Sequence, residues 1–484
     1  MKNKIFIRSA SFLMVLILIL GITACKSKSE NSSTLIDDST YESSEQEPSN
    51  DSSENITSSD TNQSTTTSKN SSTSTNVSKT YKFASDPYSD IPASVKSKPL
   101  KVFLWQAPSK QEKERIENFQ KTTGIKVDLT YTPSSDVYYD KLISKISAGD
   151  CPDVVFFAAS VFPSNVVKLM SALNPKIFKL DDPIWDKKTM DQFKINGKYY
   201  GVNIAGNFGQ DTLQVLYYNK TLLEKNSIQD PYNLWKQGNW NWDVFETLLA
   251  KVKASSSLSS FTPLYMQRLS TLASSSGTDF LMYNGDKFND NLNDTKLVNA
   301  YSKLASWRQK GYVTSSALSA SGATSGSFVF FSCIAYHLKS QDTWWSDNNG
   351  NTPNGVVRAV PFPSPAGSSV YTASDAKMFG TAKGSQNKEA AAYFLRYYLD
   401  PKNQDMEHAF LNSQAKEVWD YACKQNMFIT MSGGVVSYVN SASYTQLSNS
   451  LIYADSNQIR KVLSEQSNII TKSVNAVNTK ILKK

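Results

Sequence analysis

The chain has 484 residues, of which 40% are hydrophobic and 19% charged, and its formal net charge is +8. This length exceeds what one hydrophobic core can organise, so at least two lobes or domains are expected. The lysines and arginines are scattered without a run of five, which argues against nucleic acid as a partner and favours a solvated basic surface.

The first 25 residues are typical of an exported protein. Lys2, Lys4 and Arg8 precede an apolar run over residues 12–20, which is too short to span a bilayer as a helix. The sequence Leu-Gly-Ile-Thr-Ala then leads to Cys25. It resembles the bacterial lipobox, which implies cleavage before Cys25 and a lipid on its sulfur. The alternative is an ordinary signal peptide followed by a chance cysteine.

Residues 26–80 consist mainly of Ser, Thr, Asn, Asp and Glu. Such a segment cannot bury enough apolar surface to offset the entropy of ordering it. We therefore predict a signal peptide over residues 1–24 and a disordered tether over residues 25–98, which lifts the folded part off the membrane.

The folded part opens with a strand, a helix and a second strand. Residues 101–105 form a short apolar run that predicts a buried strand. Ser109 and Glu112 have the spacing of a capping box, so a helix should start there and end at Gly124. Residues 125–129 alternate between apolar and polar side chains, which predicts the second strand.

A second helix and a third strand follow. Residues 138–147 should form a helix with Leu142, Ile143 and Ile146 facing inward, and residues 152–157 should form a strand. The order β-α-β-α-β is typical of a parallel sheet with crossover helices. Further helices are predicted over residues 242–252, 388–399 and the last thirty residues.

The remaining cysteines and histidines do not indicate a metal or a catalytic site. Cys151, Cys333 and Cys423 are odd in number, and their spacings fit no zinc site. His337 and His408 have no partner at metal-ligand spacing and no G-x-S-x-G context. We predict structural roles for all five residues and no cofactor.

Six segments resemble, in the family's order, motifs of the family 1 extracellular solute-binding lipoproteins of ABC importers, the maltose-binding-protein-like family. They are the strand that ends in Trp105, residues 149–155 ("G-x-x-P-D-V"), 196–202 ("G-K-x-Y-G"), 216–223 ("Y-Y-N-K-x-L-F"), 241–245 ("T-W-D-E-F") and 388–395 ("K-E-A-A-x-x-F-L"). Each motif is weak alone, but together they cover residues 100 to about 400.

The resemblance implies an α/β fold with two lobes, the type II periplasmic-binding-protein-like fold. By analogy, the N-terminal lobe comprises residues 99–206 plus 375–418, and the C-terminal lobe comprises residues 207–374 plus 419–484. The chain would cross between the lobes near residues 204–212, 370–378 and 415–425. A ligand would bind in the cleft between them.

The resemblance also implies a function. The protein would be a monomeric lipoprotein on the extracellular face of the cell membrane, of the Gram-positive type, held there by lipid on Cys25. It would capture a carbohydrate ligand and deliver it to the permease subunits of an ABC importer. It would not be an enzyme.

Trp105 and Gln106 follow the first strand, and open α/β sheets bind ligands at the carboxyl ends of their strands. We expect one of them to contact the ligand, with core packing as the alternative. Asn207, Phe208 and Asp211 lie in the predicted hinge-side loop. The Asp211 carboxylate could accept hydrogen bonds from two sugar hydroxyls, or it could be a solvated loop acid.

Trp344 and Trp345 lie in a polar stretch where core residues are not expected, at the place where the family has a sugar-stacking tryptophan. A surface or interlobe packing pair is the alternative. Asp375, with Lys377, precedes the second strand crossing and could contact sugar hydroxyls. Trp242, by contrast, should pack in the core at a helix start, as should Trp240.

Three rival functions stay open. A surface carbohydrate-active enzyme would need two carboxylates about 5–10 Å apart, and no pair lies in a recognisable catalytic motif. A non-transport adhesin or sensor lipoprotein could use the same fold. A binding protein for a non-sugar solute would have a cleft lined by Arg and Lys without stacked aromatic rings.

Overall fold

The computed structural model describes residues 87–134, 137–207, 212–268, 270–313, 327–339, 351–352, 354–404 and 410–483. The strands are β1 (Leu100–Leu104), β2 (Val127–Tyr131), β3 (Val155–Ala158), β4 (Gln214–Asn219), β5 (Thr262–Met266), β6 (Leu281–Tyr283), β7 (Phe288–Asp290), β8 (Phe328–Ile334), β9 (Asn351–Thr352), β10 (Gly355–Pro361), β11 (Tyr371–Ser374), β12 (Lys377–Gly380) and β13 (Asn426–Ile429). The helices are α1 (Ala93–Lys96), α2 (Lys110–Thr123), α3 (Tyr138–Ser147), α4 (Ser164–Leu169), α5 (Lys187–Asp191), α6 (Lys220–Lys225), α7 (Pro231–Lys236), α8 (Trp242–Ala254), α9 (Thr271–Ser275), α10 (Thr295–Gln309), α11 (Lys388–Leu399), α12 (Ser413–Lys424), α13 (Ser432–Val436), α14 (Ser443–Tyr453) and α15 (Ile459–Val477).

The first strand group has the predicted β-α-β-α-β order. β1 pairs in parallel with β2, from Leu100 opposite Val127 onward, and β3 joins β1 through the parallel bridge between Val102 and Val154. β12 returns much later in the chain and pairs antiparallel with β3. The predicted first strand and both helices are confirmed, whereas β2 begins two residues later and β3 three residues later than predicted.

The capping box that starts α2 is confirmed. The hydroxyl of Ser109 accepts from the amide of Glu112, and the carboxylate of Glu112 accepts from the amide of Ser109. The helix ends at Gly124, whose φ of 72° is in the left-handed region that glycine tolerates.

The buried face of α3 differs from the prediction. Tyr138 and Leu142 are fully buried, whereas Ile143 is 44% exposed. Residues four apart lie on the same side of a helix, so Tyr138 and Leu142 form one face and Ile143 is turned away from it. The ring of Tyr138 stacks on Phe103 of β1, and its hydroxyl accepts from the amide of Phe156 in β3. This one side chain therefore fixes α3 against both strands.

The "P-D-V" motif has a structural role. Asp153 is buried, and its Oδ2 accepts from the amide of Lys101 in β1. Its Oδ1 accepts from the Ser385 hydroxyl and from the amides of Gln386 and Asn387, just before α11. One carboxylate thereby joins β1, the start of β3 and the N-terminus of α11, where a negative charge is favourable.

The second sheet has five strands in the order β5-β8-β4-β10-β9. β5 is parallel to β8, and the other neighbours are antiparallel. Phe330 of β8 packs edge-on against Phe245 of α8, which in turn packs edge-on against Trp307 of α10. These rings hold α8 and α10 against one face of the sheet.

Two asparagines of the family-like motifs begin helices. The side chain of Asn219 accepts from the amide of Leu222 at the start of α6. The side chain of Asn241 accepts from the amides of Asp243 and Val244 at the start of α8. Both satisfy amides that lack a partner in the first turn of a helix.

The C-terminal region is helical, as predicted. α15 buries one side, with Ile459, Leu463 and Ile470 fully or almost fully buried. α12 occupies the third predicted crossing, near residues 415–425, and the strand that pairs with β11 begins only after it, as β13.

The cysteines within the described ranges are free thiols. Cys333 is buried, and burial raises the pKa of Cys423 to about 12. His337 is fully buried, while His408 lies outside the described residues. Among the residues that the structure describes, no helix combines the length and the apolar character needed to cross a membrane.

Candidate ligand-binding site

Trp105 and Lys377 meet at the carboxyl end of the first strand group. Trp105 directly follows β1, and Lys377 begins β12, where it lies opposite Ala158 at the end of β3. Nζ of Lys377 lies 4.3 Å from the centroid of the Trp105 ring, which is a cation–π contact. The antiparallel pairing of β12 with β3 therefore brings together two residues that are far apart in the chain.

The Trp105 ring is only partly buried. It packs edge-on against Phe156, with ring centroids 5.8 Å apart, and the hydroxyl of Thr132 donates to its carbonyl at 2.6 Å. Its backbone and one edge are held while part of the ring meets solvent, as a stacking platform requires. Gln106 is exposed beside it.

Asp375 links the two strand systems. It lies between β11 and β12, and its Oδ1 accepts from the amide of Ser160, just beyond β3. Its Oδ2 lies 3.4 Å from Nη2 of Arg268, which follows β5 of the second sheet. The Asp375 side chain is 13% exposed and the Arg268 side chain 26%, so the ion pair is partly buried.

Sequence reasoning missed Arg268. The strand before it, β5, is short and contains Pro263, and neither strict alternation nor a long apolar run marks it. The position of Arg268 follows from the pairing of β5 with β8, which the sequence alone does not reveal. Because β5 lies beside β8 in the sheet, its end lies at the same edge as the end of β8.

Three polar residues meet near the predicted crossings. The hydroxyl oxygens of Thr212, before β4, and Ser374, at the end of β11, are 3.2 Å apart. The amide of Thr430, after β13, donates to the carbonyl of Ser374 at 3.2 Å. Ser374 thus contacts both the segment that leads into β4 and the segment that follows β13.

Asn207 is fully buried. Its side-chain amide donates to the Asn203 side chain at 2.6 Å and to the carbonyl of Ile204. These two hydrogen bonds lie within its own segment, and a role in ligand binding stays a prediction.

Several predicted residues lie outside the described residues. They are Cys25, Phe208, Asp211, Trp344 and Trp345. Described strands lie on one side of each of the two segments that contain Phe208, Asp211, Trp344 and Trp345. Strand β4 begins three residues after Asp211, and β8 precedes Trp344. Their roles stay predictions.

Trp242 is buried, as predicted for a core residue. It is 5% exposed, and its indole N–H donates to the carbonyl of Pro363 at 2.9 Å. Trp240 is partly buried and donates to the carbonyl of Pro361 at 2.8 Å. Together the two indoles hold the end of β10 and the residues just after it against the start of α8.

A cavity of about 600 Å³ lies between α8 and α10 and contains none of the predicted ligand residues. Nζ of Lys303 lies 2.8 Å from Asp243 and 2.9 Å from Glu246, and Nζ of Lys310 lies 2.6 Å from Glu246. Burial alone would raise the pKa of Glu246, but hydrogen bonds from the two lysines outweigh it and lower the pKa to about 2. These charges satisfy each other, so we assign the cavity a structural role.

The strand ends offer an aromatic ring, cations and a carboxylate, which suit non-covalent binding of a polar molecule. Across the described ranges, no group of three or more His, Cys, Asp or Glu side chains is arranged to hold a metal ion.

Solved structures with the same fold cover most of the chain. An ABC substrate-binding protein from Listeria monocytogenes, in complex with cycloalternan, matches with a TM-score of 0.53 and 18% identity over 79% of this chain and 98% of its own. An extracellular solute-binding protein from Staphylococcus aureus, in complex with maltose, gives 0.56 and 16% over 78% and 99%. The galacto-N-biose- and lacto-N-biose I-binding protein of an ABC transporter from Bifidobacterium longum gives 0.58 and 17% over 78% and 97%.

These similarities confirm the predicted α/β fold with two lobes. A sequence search of curated proteins finds no match. The family model described as "bacterial extracellular solute-binding protein" matches residues 114–412. That span is more than half of the chain and includes all five strands of the second sheet, and the chain therefore belongs to the bacterial extracellular solute-binding protein family.

Proposed function

We propose that the protein binds a sugar or oligosaccharide between its two lobes. The observation that carries this proposal is the partly exposed Trp105 ring at the strand ends, with Lys377 and the Asp375–Arg268 pair nearby. A sugar ring has an apolar face of C–H groups that packs on an aromatic plane, and its hydroxyls need charged or polar partners. The sugars in the three similar structures support the same class of ligand.

Binding would proceed by closure of the lobes. A ligand shifts an open–closed equilibrium only if it binds one state better, so it must contact both lobes. Trp105 and Lys377 would contact it from the first lobe, and Arg268 from the second. The other proposed ligand residues are Gln106, Asn207, Phe208, Asp211, Trp344, Trp345 and Asp375.

The lobe boundaries are part of the proposal. We retain residues 99–206 plus 375–418 for one lobe and residues 207–374 plus 419–484 for the other. The contact between Ser374 and Thr212 supports a first and a second crossing that are close together in space. Rotation about a few such segments is how hinged domains close.

Delivery to an ABC importer is the role we propose for the closed form. The protein would act as a monomer on the extracellular face of a Gram-positive-type membrane, held by lipid on Cys25 and raised by residues 26–80. Permease subunits would then be its protein partners. The family description, with its word "extracellular", supports this location.

We propose that the protein is not an enzyme. A glycoside hydrolase needs one carboxyl that donates a proton and a second carboxylate nearby. Asp375 accepts a hydrogen bond or ion pair on each of its two oxygens. It is thus placed as an acceptor and not as a proton donor.

Calorimetric titration with a panel of oligosaccharides tests this function. For a sugar that the wild type binds, Trp105→Ala should lower the affinity at least about 30-fold, the loss typical of an aromatic side chain at the centre of an interface. Trp105→Phe, which keeps a smaller ring, should recover part of the loss.

Tyr453→Ala is the matched control, because this ring is 63% exposed on α14. It should leave the affinity unchanged. A Trp105→Ala variant that folds and binds as tightly as the wild type would show that the ligand lies elsewhere. Release of hydrolysis products from a bound sugar would show an enzyme.

A further inference from the structure

One edge of the second sheet contains buried polar atoms that have no hydrogen-bond partner among the described residues. At this polar edge (Gln214, Gln267 and Ser332), β5 and β8 end and β4 begins. Gln214 is the first residue of β4, Gln267 directly follows β5, and Ser332 lies near the end of β8. The unpartnered atoms are both ends of the Gln214 side-chain amide, the side-chain carbonyl of Gln267 and the hydroxyl of Ser332.

Resting on the proposed sugar-binding function, we propose that Gln214, with Ser332 beside it, determines which sugar binds. The Gln214 amide has an acceptor and a donor on neighbouring atoms, and a sugar hydroxyl can both donate and accept. Two adjacent hydroxyls of a sugar ring therefore suit this amide, one donating to Oε1 and the other accepting from Nε2. The ligand is then a saccharide in which both of these hydroxyls are free.

The first argument is the strand register, which places Gln214 and Ser332 on one face of the sheet. Gln214 is opposite Ile334 in the antiparallel pair of β4 and β8, and Ser332 is opposite Leu216. Residues two apart along a strand share a face, so Gln214 and Ser332 are diagonal neighbours within reach of a long side chain. The amide of Gln267 donates to the carbonyl of Ser332 at 2.8 Å, which holds the end of β5 beside them.

The second argument is that the fold does not use these polar groups. Gln214 is 2% exposed and Ser332 is fully buried, so water at the surface does not satisfy them. Buried polar side chains nearly always have a partner, and an unpaired one lowers the stability of the folded state. An apolar side chain at either position would avoid this loss. The two polar side chains therefore indicate a partner from outside the chain.

The third argument is the position of the polar edge next to the candidate ligand-binding site. Arg268, proposed to contact the ligand from the second lobe, directly follows Gln267. Thr212, two residues before Gln214, contacts Ser374 where the first and second crossings meet. A glutamine side chain has three rotatable bonds, so the Gln214 amide can turn towards a ligand while β4 stays in place.

Deoxy sugars test the proposal by calorimetric titration. In an oligosaccharide that the wild type binds, each hydroxyl in turn is replaced by hydrogen. Two analogues, altered at adjacent positions, should bind the wild type about 5- to 100-fold more weakly than the parent sugar, because each leaves one end of the buried amide unpaired. Gln214→Met, which keeps the length of the side chain but has no amide, should bind the parent more weakly and no longer distinguish it from these two analogues.

Urea unfolding of the sugar-free proteins separates ligand recognition from a structural role. Gln214→Met removes two unpaired polar groups from the interior, so its midpoint should stay the same or rise while its affinity falls. Ser332→Ala should also keep its midpoint and should reduce the discrimination between sugars less than Gln214→Met does. Gln237→Met, at an exposed position after α7, is the matched control and should change neither quantity.

Each outcome decides between the two proposals. If Gln214→Met binds the parent sugar and every analogue as the wild type does, the role of Gln214 in specificity is wrong while sugar binding stands. A lower midpoint with unchanged affinities would mean that a buried water, or Asp211 outside the described residues, pairs with Gln214 in a structural role. If the wild type binds no saccharide, sugar binding itself is wrong, and the specificity proposal fails with it.

Discussion

Asp279 shows what burial does to a single residue. It follows α9 and is 1% exposed. Its Oδ1 accepts from the amide of Phe280 at 2.7 Å. Burial raises the pKa to about 6, although hydrogen bonds from Ser432 and Phe280 partly oppose the shift. Tyr301 of α10 and Tyr444 of α14 lie close enough to interact electrostatically with this region.

This pKa makes stability depend on pH. The folded state binds the proton more tightly than an unfolded chain, where an Asp pKa is about 4. The stabilising contribution of the protonated form is complete below about pH 4 and is lost as the pH rises through 6. Relative to Asp279→Asn, the wild type should therefore lose about 2 kcal/mol of unfolding free energy between pH 4 and pH 7.

Urea unfolding of both proteins across this pH range measures the effect. The difference between wild type and Asp279→Asn should grow with pH in favour of the variant. Asp290→Asn, at an exposed position on β7, should show no such trend. Parallel stability curves for wild type and Asp279→Asn would mean that Asp279 titrates as an ordinary carboxyl.

At the scale of elements, local patterns predicted most of the first strand group. The capping box, the left-handed Gly124 and the alternation before α3 are short-range signals, and their elements formed within two residues of the predicted positions. Ile143 was misplaced because an apolar residue beside a buried face was counted as part of it. β5 was missed because a five-residue strand with a proline carries almost no periodic signal.

α13 is held against the end of β3 by a close approach of backbone. A Cβ on Gly434 would lie 2.4 Å from the carbonyl oxygen of Ser160 and 2.9 Å from that of Phe162. A Cβ on the neighbouring Gly433 would meet nothing closer than the Tyr444 ring at 3.9 Å. The same helix thus offers two adjacent glycines in opposite situations.

Gly434→Ala should cost about 1–3 kcal/mol of unfolding free energy, because α13 or the segment around Ser160 must shift. Gly433→Ala should be neutral or stabilise by up to about 1 kcal/mol, because alanine favours the helix. Guanidinium unfolding of the two variants compares them directly. Similar midpoints would show that α13 is free to move away from β3.

At the scale of the whole molecule, the candidate site depends on contacts that no local pattern contains. Trp105 and Lys377 meet only because β12 returns to pair with β3, and Asp375 reaches Arg268 only because β11 and β12 lie near the end of β5. The sequence pointed to Trp105 and Asp375 through strand ends and family resemblance. Arg268 could be found only once the second sheet was assembled.

The distribution of charge along the chain bears on how membrane attachment must be tested. Residues 26–80 carry −5, and the part beyond them carries +10. A positive folded part can associate with an anionic membrane without any lipid anchor, by roughly 1 kcal/mol for each basic residue near the surface. Such association weakens with salt, because the Debye length falls to about 3 Å at 1 M.

Cys25→Ser separates the two modes of attachment. If lipid on Cys25 anchors the protein, the wild type should stay with the membrane fraction in 1 M NaCl, because two or more acyl chains hold stably where a single chain does not. The serine variant should bind at low salt and leave at high salt. Release of the wild type by salt would mean that charge alone holds it at the membrane. Retention of the serine variant in 1 M NaCl would mean that an apolar segment of the chain, and not a lipid on Cys25, anchors the protein.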